Sequence, residues 1–216
     1  MRSFKHHISA TSHLDEIRIP LPKSLVSRLQ EGISKFDIEL DELFVETPPK
    51  NSSKQSLYEL QELEKLAKSG FCSELIEMPI IGIVESIMDS NEIHLAEPSR
   101  RKLVGVLHDV RTACLELQYR YGRIRPRKLA EVVGIKLPTT YSHQDSTPSY
   151  PSTRSTQMEF ISLYMGERFE KLEKTLSNTA EEVNSALMRS ALNYRSDIEA
   201  SKELARYLFN SLKRKM

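Results

Sequence analysis

The stretch PSRRKLVGVLHDVRTACLELQYRY, residues 98–121, decides the fold class of this 216-residue chain. Its apolar side chains recur every three or four residues, which places them on one stripe of a long helix. That stripe consists of Leu103, Leu107, Val110, Cys114, Leu117 and Tyr121. Pro98 at the start of the stretch suits the first turn of a helix. The pattern therefore predicts a long helix in the centre of a helical bundle.

Helical periodicity continues on both sides of this stretch, whereas strand-like alternation is scarce. Thr156 and Glu159 have the spacing of a capping box, which predicts a helix start near Thr156. The other predicted helices cover about 55–69, 73–90 with a kink at Pro79, 127–133, 156–176, 179–194 and 197–213. The sequence thus predicts an all-α fold, a helical bundle with an N-terminal extension.

The first 50 residues differ in character from the rest of the chain. Residues 17–23 are rich in proline and extended, residues 25–36 have the pattern of a helix, and residues 47–53 have the composition of a linker. We expect residues 1–50 to form an arm that packs on the bundle or reaches a partner. Residues 51–216 are expected to form the helical domain.

Composition excludes several classes of protein. Charged residues make up 28% of the chain, but the formal net charge is only +1, which implies no general attraction to nucleic acid or an anionic membrane. No apolar run approaches the roughly 20 residues of a membrane span, and the N-terminus has no signal-peptide core. Cys72 and Cys114 are too few for a disulfide framework. We expect a soluble cytoplasmic protein with two buried cysteines and without a metal or cofactor.

Three segments carry the chemistry that the chain suggests, and the loop over residues 136–153 is the place to look for a site. The segments are YRYGRIRP at 119–126, TPSYPSTRSTQ at 147–157 and NYRSDIEA at 193–200. Their order and spacing resemble the three-part signature of the type 2 phosphatidic acid phosphatase superfamily, Lys-x6-Arg-Pro, Pro-Ser-Gly-His and Ser-Arg-x5-His-x3-Asp. That superfamily also contains the class A bacterial acid phosphatases and the vanadium haloperoxidases.

The resemblance covers roughly residues 50–210. Within the superfamily, the chain is similar to the soluble, phage-encoded branch. It implies a helical bundle of the acid phosphatase and vanadium haloperoxidase type. In that family two cationic side chains and a helix N-terminus hold a phosphate. One histidine attacks phosphorus while a second histidine protonates the leaving oxygen, and a carboxylate holds the attacking imidazole in one tautomer.

The first two segments keep part of the signature. Arg125 is retained with its proline, but Gln118 stands where the family has its lysine. Ser152 is retained, whereas Thr153 stands at the position of the glycine that lets the backbone approach the anion. Arg154 replaces the general-acid histidine, and a guanidinium cannot give up a proton near neutral pH.

The third segment has lost its reacting group. Asp197 is retained at the position of the carboxylate that orients the nucleophile. Asn193 replaces the nucleophilic histidine, and Leu187 replaces the phosphate-binding arginine. Because an amide nitrogen does not attack phosphorus, the resemblance implies a phosphatase-like site without an intact catalytic set.

Neighbouring residues are not expected to replace the missing catalytic groups. Arg189 lies two residues beyond Leu187, and about 200° of helical rotation turns its side chain away. His143 could enter the pocket from the loop, but nothing pairs it with Asp197. The remaining histidines are expected to be ordinary surface or core residues. The basic cluster formed by Arg120, Arg123, Arg125, Arg127 and Lys128 is either a solvated helix end or a phosphate or nucleic-acid patch.

The sequence leaves several functions open. We favour an inactive phosphatase-fold protein with a structural or interaction role, located in the host cytoplasm or in a phage virion, whose partners are its own copies and other protein subunits. The alternative is a phosphomonoester hydrolase that uses Arg125, Ser152, Arg154 and His143. A third function is a module in which Arg125, Ser152 and Arg154 hold a phosphate or sulfate without hydrolysing it. An unrelated helical bundle, in which the motifs match by chance, is the remaining interpretation.

Overall fold

The structure is a computed structural model that describes residues 12–17, 19–43, 45–67, 74–137 and 147–215. Within these ranges the regular structure is helical, without a strand, which confirms the all-α class. The helices are α1 Lys23–Glu31, α2 Lys54–Leu66, α3 Glu74–Glu77, α4 Ile80–Asp89, α5 Glu97–Tyr121, α6 Pro126–Val133, α7 Thr153–Gly166, α8 Glu170–Arg189 and α9 Arg195–Lys215. Two short 3₁₀ turns, Ser12–Glu16 and Leu40–Glu42, precede α2.

The centre of the molecule is formed by α5, α7, α8 and α9. Helix α7 packs against α8, α9 and α5, and its Phe160 is fully buried between them. The stripe predicted on α5 faces this core, where Leu103, Leu107, Val110, Cys114 and Leu117 are buried and Tyr121 is partly buried. None of the described helices combines the length and apolar character that a membrane span needs.

Residues 33–45, which precede the bundle, contribute to the same core. Ile33, Phe36, Leu43 and Val45 are all buried there. The Phe36 ring meets Phe160 edge to face, with the ring centroids 5.8 Å apart. Two backbone carbonyls of this segment, those of Leu43 and Val45, also accept hydrogen bonds from side chains at the end of α5. This part of the chain therefore packs on the bundle.

The prediction of one kinked helix over residues 73–90 is wrong. The structure has two separate helices, α3 and α4, with a break before Ile80. Pro79 has an extended backbone, with φ −54° and ψ 141°, and it caps α4. Proline has no N–H to continue the ladder of α3, so the helix ends instead of bending. The predicted end of the first helix at Ser69 and the predicted start of the second at Ser73 lie outside the described residues.

The predicted helices over 156–176 and 179–194 are also wrong in their limits. The helix after the loop starts at Thr153, because the Ser152 hydroxyl caps it by accepting the Ser155 N–H. Thr156 lies inside its first turn, where its hydroxyl donates to the Ser152 carbonyl at 2.9 Å. The chain then turns after Gly166, where an added Cβ would lie 3.3 Å from Glu173 Cγ. This close approach of α8 divides the predicted helix in two.

Candidate functional site

The three sequence segments converge on one cleft of about 630 Å³ between α4, α5 and α7. Seven of the eight predicted site positions line it: Gln118, Arg125, Ser152, Thr153, Arg154, Leu187 and Asn193. The eighth, Asp197, lies directly behind this lining and bonds to the Asn193 amide. Residues up to 79 positions apart in the sequence therefore form one site, as the spacing of the motifs predicts.

The ends of helices place these side chains. Gln118 lies in the last turn of α5, which ends at Gly122 with φ +64°, a left-handed conformation that glycine adopts without strain. Arg125 precedes α6 as its N-cap, and Ser152 is the N-cap of α7. Asn193 stands in the short turn between α8 and α9. Three helix connections thus meet at the Gln118 end of the cleft, which we call the inner end: the one between α5 and α6, the one before α7 and the one between α8 and α9.

Asn193, at the position of the nucleophile, is fixed by two hydrogen bonds. Its Nδ2 donates to the Ser149 carbonyl at 2.8 Å and to Asp197 Oδ2 at 3.2 Å, and the residue is 2% exposed. Both N–H groups of the amide are thus engaged with the protein. The amide nitrogen has no available lone pair, so the position holds the loop before α7 and supplies no nucleophile.

Asp197 is the centre of a buried network of charges. Its Oδ1 accepts from Arg123 Nη1 at 2.7 Å, and its Oδ2 accepts from the Tyr194 N–H at 2.9 Å. The Arg123 guanidinium also donates to Glu59 at 2.9 Å and lies 4.0 Å above the Tyr194 ring. Burial acts to lower the pKa of Arg123, but Asp197, Tyr194 and Glu59 outweigh it and raise the pKa. The resemblance assigns Asp197 the role of orienting a histidine. In this structure Asp197 instead pairs with Arg123.

Arg125 is used to hold chain segments together. Its Nη1 donates to the Leu192 carbonyl at 2.9 Å, its Nη2 to the Pro148 carbonyl at 3.0 Å and its Nε to the Thr147 carbonyl at 3.2 Å. Gln118 acts in the same way, because its Nε2 donates to the Pro151 carbonyl at 2.7 Å. These donors reach backbone oxygens of the loop before α7 and of the turn before α9.

Arg154, at the position of the general acid, ties α7 to α3. Its Nε donates to the Leu75 carbonyl at 2.7 Å, and its Nη2 donates to the Met78 carbonyl at 2.5 Å. Burial lowers the pKa of Arg154 to about 10. Even so, this pKa lies far above neutral pH, so the guanidinium retains its proton and is a poor general acid there.

The basic cluster is neither a simple solvated helix end nor a patch, which corrects both expectations. Arg123 and Arg125 are 3% and 7% exposed, and their guanidinium groups are bonded inside the protein. Arg120 reaches back to residues before the bundle and donates to the Leu43 and Leu40 carbonyls. Arginine can be buried in this way because most of its N–H groups find acceptors, although Arg123 Nε finds none among the described residues.

The histidines divide into three groups. His13 and His94 are exposed, while His6, His7 and His143 lie outside the described residues, as does Cys72. His108 lines the cleft on α5, although no motif or spacing predicts it there. It lies ten residues before Gln118, about 15 Å along the helix axis, so it is far from Asp197. Arg189 is absent from the cleft lining, as its helical position predicts.

Sequence reasoning missed several residues of the site. Glu59 shares a helix face with Ser56, Leu60 and Leu63, and a carboxylate among apolar residues was the signal that could have revealed a buried partner. Arg123 follows the end of α5 without any such pattern. Arg111 was also missed, although Val104, Leu107, Arg111, Leu115 and Gln118 form a second helical stripe.

Among the residues whose positions are described, no group of histidine, cysteine, aspartate or glutamate side chains is arranged to hold a metal ion. No protein-family model matches the chain. A comparison with curated proteins likewise finds no match.

Proposed function

We propose that this chain is a catalytically inactive relative of the type 2 phosphatidic acid phosphatases, with a helical bundle of the acid phosphatase and vanadium haloperoxidase type, and that it acts as a structural or interaction protein. One observation carries the proposal. The residues at the two reacting positions, Asn193 and Arg154, bind backbone carbonyls of neighbouring segments. The residues that would perform chemistry hold the fold together.

The loss of reaction rate expected from the missing catalytic groups is far larger than the remaining side chains could offset. Removal of a nucleophile such as that of subtilisin costs roughly a millionfold in rate. Here an amide stands at the position of the nucleophile and a guanidinium at that of the general acid. Neither group exchanges a proton or an electron pair with a phosphate at neutral pH. The cation positions are also reduced, because Gln118 and Leu187 carry no charge. Loss of the full set supports a role without turnover.

An assay with p-nitrophenyl phosphate between pH 4 and pH 9 tests the inactive state. We expect no turnover above that of a blank without protein, because neither Asn193 nor Arg154 exchanges a proton or an electron pair with the phosphate. A turnover that falls at least tenfold in Arg125→Lys, but not in the surface variant Arg101→Gln, would instead support a phosphomonoester hydrolase that uses Arg125, Ser152 and Arg154. Those three side chains do share the cleft.

The place of action is proposed from the resemblance to phage-encoded proteins. We propose that the protein assembles with its own copies or with other virion proteins in the host cytoplasm. Mass spectrometry of purified particles should then detect the chain at a fixed ratio to the other structural proteins. Its recovery only as a free protein from the lysate would contradict the assignment to the virion.

Binding of phosphate or sulfate without hydrolysis is the second candidate function. The first residues of α7 line the cleft together with Arg125 and Arg154, and a helix N-terminus beside arginines favours an anion. The arginines, however, already donate to backbone carbonyls. Titration calorimetry with phosphate should therefore show at most weak binding, and a micromolar dissociation constant would favour this function over a purely structural one.

A further inference from the structure

The cleft extends well beyond the three sequence segments. Its wall follows one face of α5 from Val104 to Gln118, a span of 14 residues or about 21 Å along the helix axis. The segments meet at the inner end. The opposite end, around Val104 and Arg111, which we call the outer end, has no role in the function proposed above.

Helix α1 forms one wall of the outer end. It packs on α5, and it contributes Leu25 to the lining of the cleft. The chain that follows α1 is fixed to the same part of α5, because the Lys35 N–H donates to the Asp109 carboxylate at 2.8 Å. Leu25 therefore meets the part of the cleft that Val104 and Leu107 line from α5.

The rest of the protein holds α1 only weakly. None of its nine residues is buried, and Val26, the neighbour of Leu25, is 38% exposed. Arg28 Nη1 is closed to solvent and has no hydrogen-bond partner among the described residues. Such a donor is costly, and movement of α1 into water would hydrate it. The small apolar burial that holds α1 in place is thus partly offset by the cost of this donor.

The segments on both sides of α1 are, in contrast, firmly anchored. Before the helix, Ile17 and Ile19 pack against an apolar cluster formed by residues of α2, of α6 and of the turn before α9. After the helix, Ile33 and Phe36 are buried in the main core. A weakly held helix therefore lies between two well-held segments.

The residues at the two ends of α1 have the properties of hinges. Pro22, its N-cap, has an extended backbone with φ −61° and ψ 138°, and it has no N–H to bond to a neighbour. Gly32, its C-cap, has φ 71° and ψ −156°, a conformation that is essentially restricted to glycine. Residues at element ends absorb the changes of backbone angle in hinge motions, and glycine does so at low steric cost.

We propose that α1 is a hinged lid on the outer end of the cleft, which moves away from α5 about Pro22 and Gly32 and so controls the access of small molecules to the cleft. The anchored segments on both sides stay in place during this movement. An isolated helix of nine residues is only marginally stable in water, so α1 also unfolds when it leaves α5. The lid does not depend on the function proposed for the inner end, because none of its residues belongs to the three segments.

Hydrogen exchange of the full chain, resolved by peptide mass spectrometry, tests the lid. Relative to their intrinsic rates, the amides of α1 should exchange at least about 100-fold faster than those in the middle of α5, because the lid opens without global unfolding. The amides of the anchored residues 33–37 should be better protected than those of α1. Equal protection of α1 and α5 would overturn the proposal. Equal exchange of α1 and residues 33–37 would do so as well, since the whole segment would then detach together.

Two neighbouring positions on α1 provide a matched pair of variants. Leu25→Ala shortens the side chain that lines the cleft and should lower the protection of the α1 amides at least about threefold. Val26→Ala shortens an exposed side chain that is absent from the cleft lining. It should not lower the protection, since alanine is the better helix former. An equal loss of protection in the two variants would contradict the role of Leu25 in closing the lid.

Thiol labelling measures access to the cleft itself. Leu107 lines the cleft and is 6% exposed, so the thiol of a Leu107→Cys variant should react slowly with N-ethylmaleimide. Adding Leu25→Ala should raise the rate of labelling at position 107 at least about threefold, whereas adding Val26→Ala should leave it unchanged. Peptide mass spectrometry distinguishes this label from labels on the two native cysteines. A rate that Leu25→Ala leaves unchanged would overturn the proposal.

Discussion

The two ends of the cleft use arginine in opposite ways. At the inner end, Arg123 and Arg125 are buried, and their guanidinium groups donate to carboxylates and carbonyls of the protein. At the outer end, around Val104 and Arg111, Arg111 lines the cleft wall, and no described carboxylate acts to raise its pKa. The comparison teaches that the positive charges of the inner end are paired within the fold, whereas no described carboxylate accompanies that of Arg111.

The buried arginines of the inner end need charge and hydrogen-bond partners for a physical reason. A charge removed from water is tolerated only when opposite charges and hydrogen bonds replace its hydration. Arg123 obtains this from Asp197, Glu59 and the face of Tyr194. Five chain segments, α2, the turn before α6, the loop before α7, the turn before α9 and α9 itself, meet through this network and through Arg125. The inner end is therefore closely bonded within the fold.

The largest expected effect comes from removing the central cation. Arg123→Met leaves the buried carboxylates of Asp197 and Glu59 without their positive partner, and we expect a loss of about 4 kcal/mol in the free energy of unfolding. Urea denaturation at pH 7 measures it. The matched control is Arg195→Met, since Arg195 pairs with Glu62 at the surface and should cost less than about 1 kcal/mol. Equal losses in the two variants would break the comparison.

A smaller effect is expected from Arg125→Lys. Lysine keeps the positive charge but cannot reach the carbonyls of Leu192, Pro148 and Thr147 together, as the guanidinium does. We expect a loss of about 2 kcal/mol, measured by the same urea titration. If the charge alone mattered at this position, the lysine variant would be as stable as the original chain.

Alkaline pH should weaken the inner end next. Burial raises the pKa of Tyr194, and also that of Tyr150, above the ordinary value of 10.0. Above pH 10 the unfolded chain loses these protons while the folded chain retains them, so the stability present below pH 10 falls as the pH rises. Each buried tyrosine contributes about 1.4 kcal/mol of loss per pH unit. Thermal denaturation between pH 8 and pH 11 measures the slope.

Tyr194→Phe isolates the contribution of one phenol. The Tyr194 hydroxyl is buried without a hydrogen-bond partner among the described residues, so its removal should not destabilise the protein at pH 7. The variant should show a shallower loss of stability above pH 10. A slope identical to that of the original chain would mean that Tyr194 is accessible to solvent.

The smallest effect is expected at the outer end. Arg111→Gln removes a charge whose pKa is lowered by burial and by Arg28, and which no described carboxylate offsets. We expect the free energy of unfolding to change by less than about 0.5 kcal/mol, in the direction of higher stability. Urea denaturation in low salt gives the clearest measurement, because salt screens the repulsion. A loss of 2 kcal/mol or more would show that Arg111 has a structural partner after all.

Much of the fold follows from local sequence signals. The stripe on α5 predicts the central helix, because burial of apolar residues at helical spacing dominates its packing. Local signals fail where tertiary contacts decide. The division between α7 and α8 depends on the close approach of Gly166 to Glu173, which no periodic pattern reveals. The break at Pro79 is a local effect of proline, but the sequence pattern does not distinguish a break from a kink.

The site, like the fold, is predictable from the sequence only in part. The spacing of the three segments predicts that Gln118, Arg125, Arg154 and Asn193 meet, and they do line one cleft. What each side chain bonds to could not be predicted, because the acceptors are backbone carbonyls of distant segments, such as Leu75 for Arg154. The pairing of Arg123 with Asp197 was equally hidden, since it joins residues 74 positions apart.

The absence of a covalent intermediate tests the central claim most directly. The chain can be incubated with p-nitrophenyl phosphate, quenched in alkali, where a phosphohistidine would survive, and analysed by intact-mass spectrometry. If Asn193 and Arg154 are structural, the mass of the protein remains that of the unmodified polypeptide at every time point. A phosphoryl adduct that forms with the original chain and is lost in Asn193→Ala or Arg125→Lys would contradict the account.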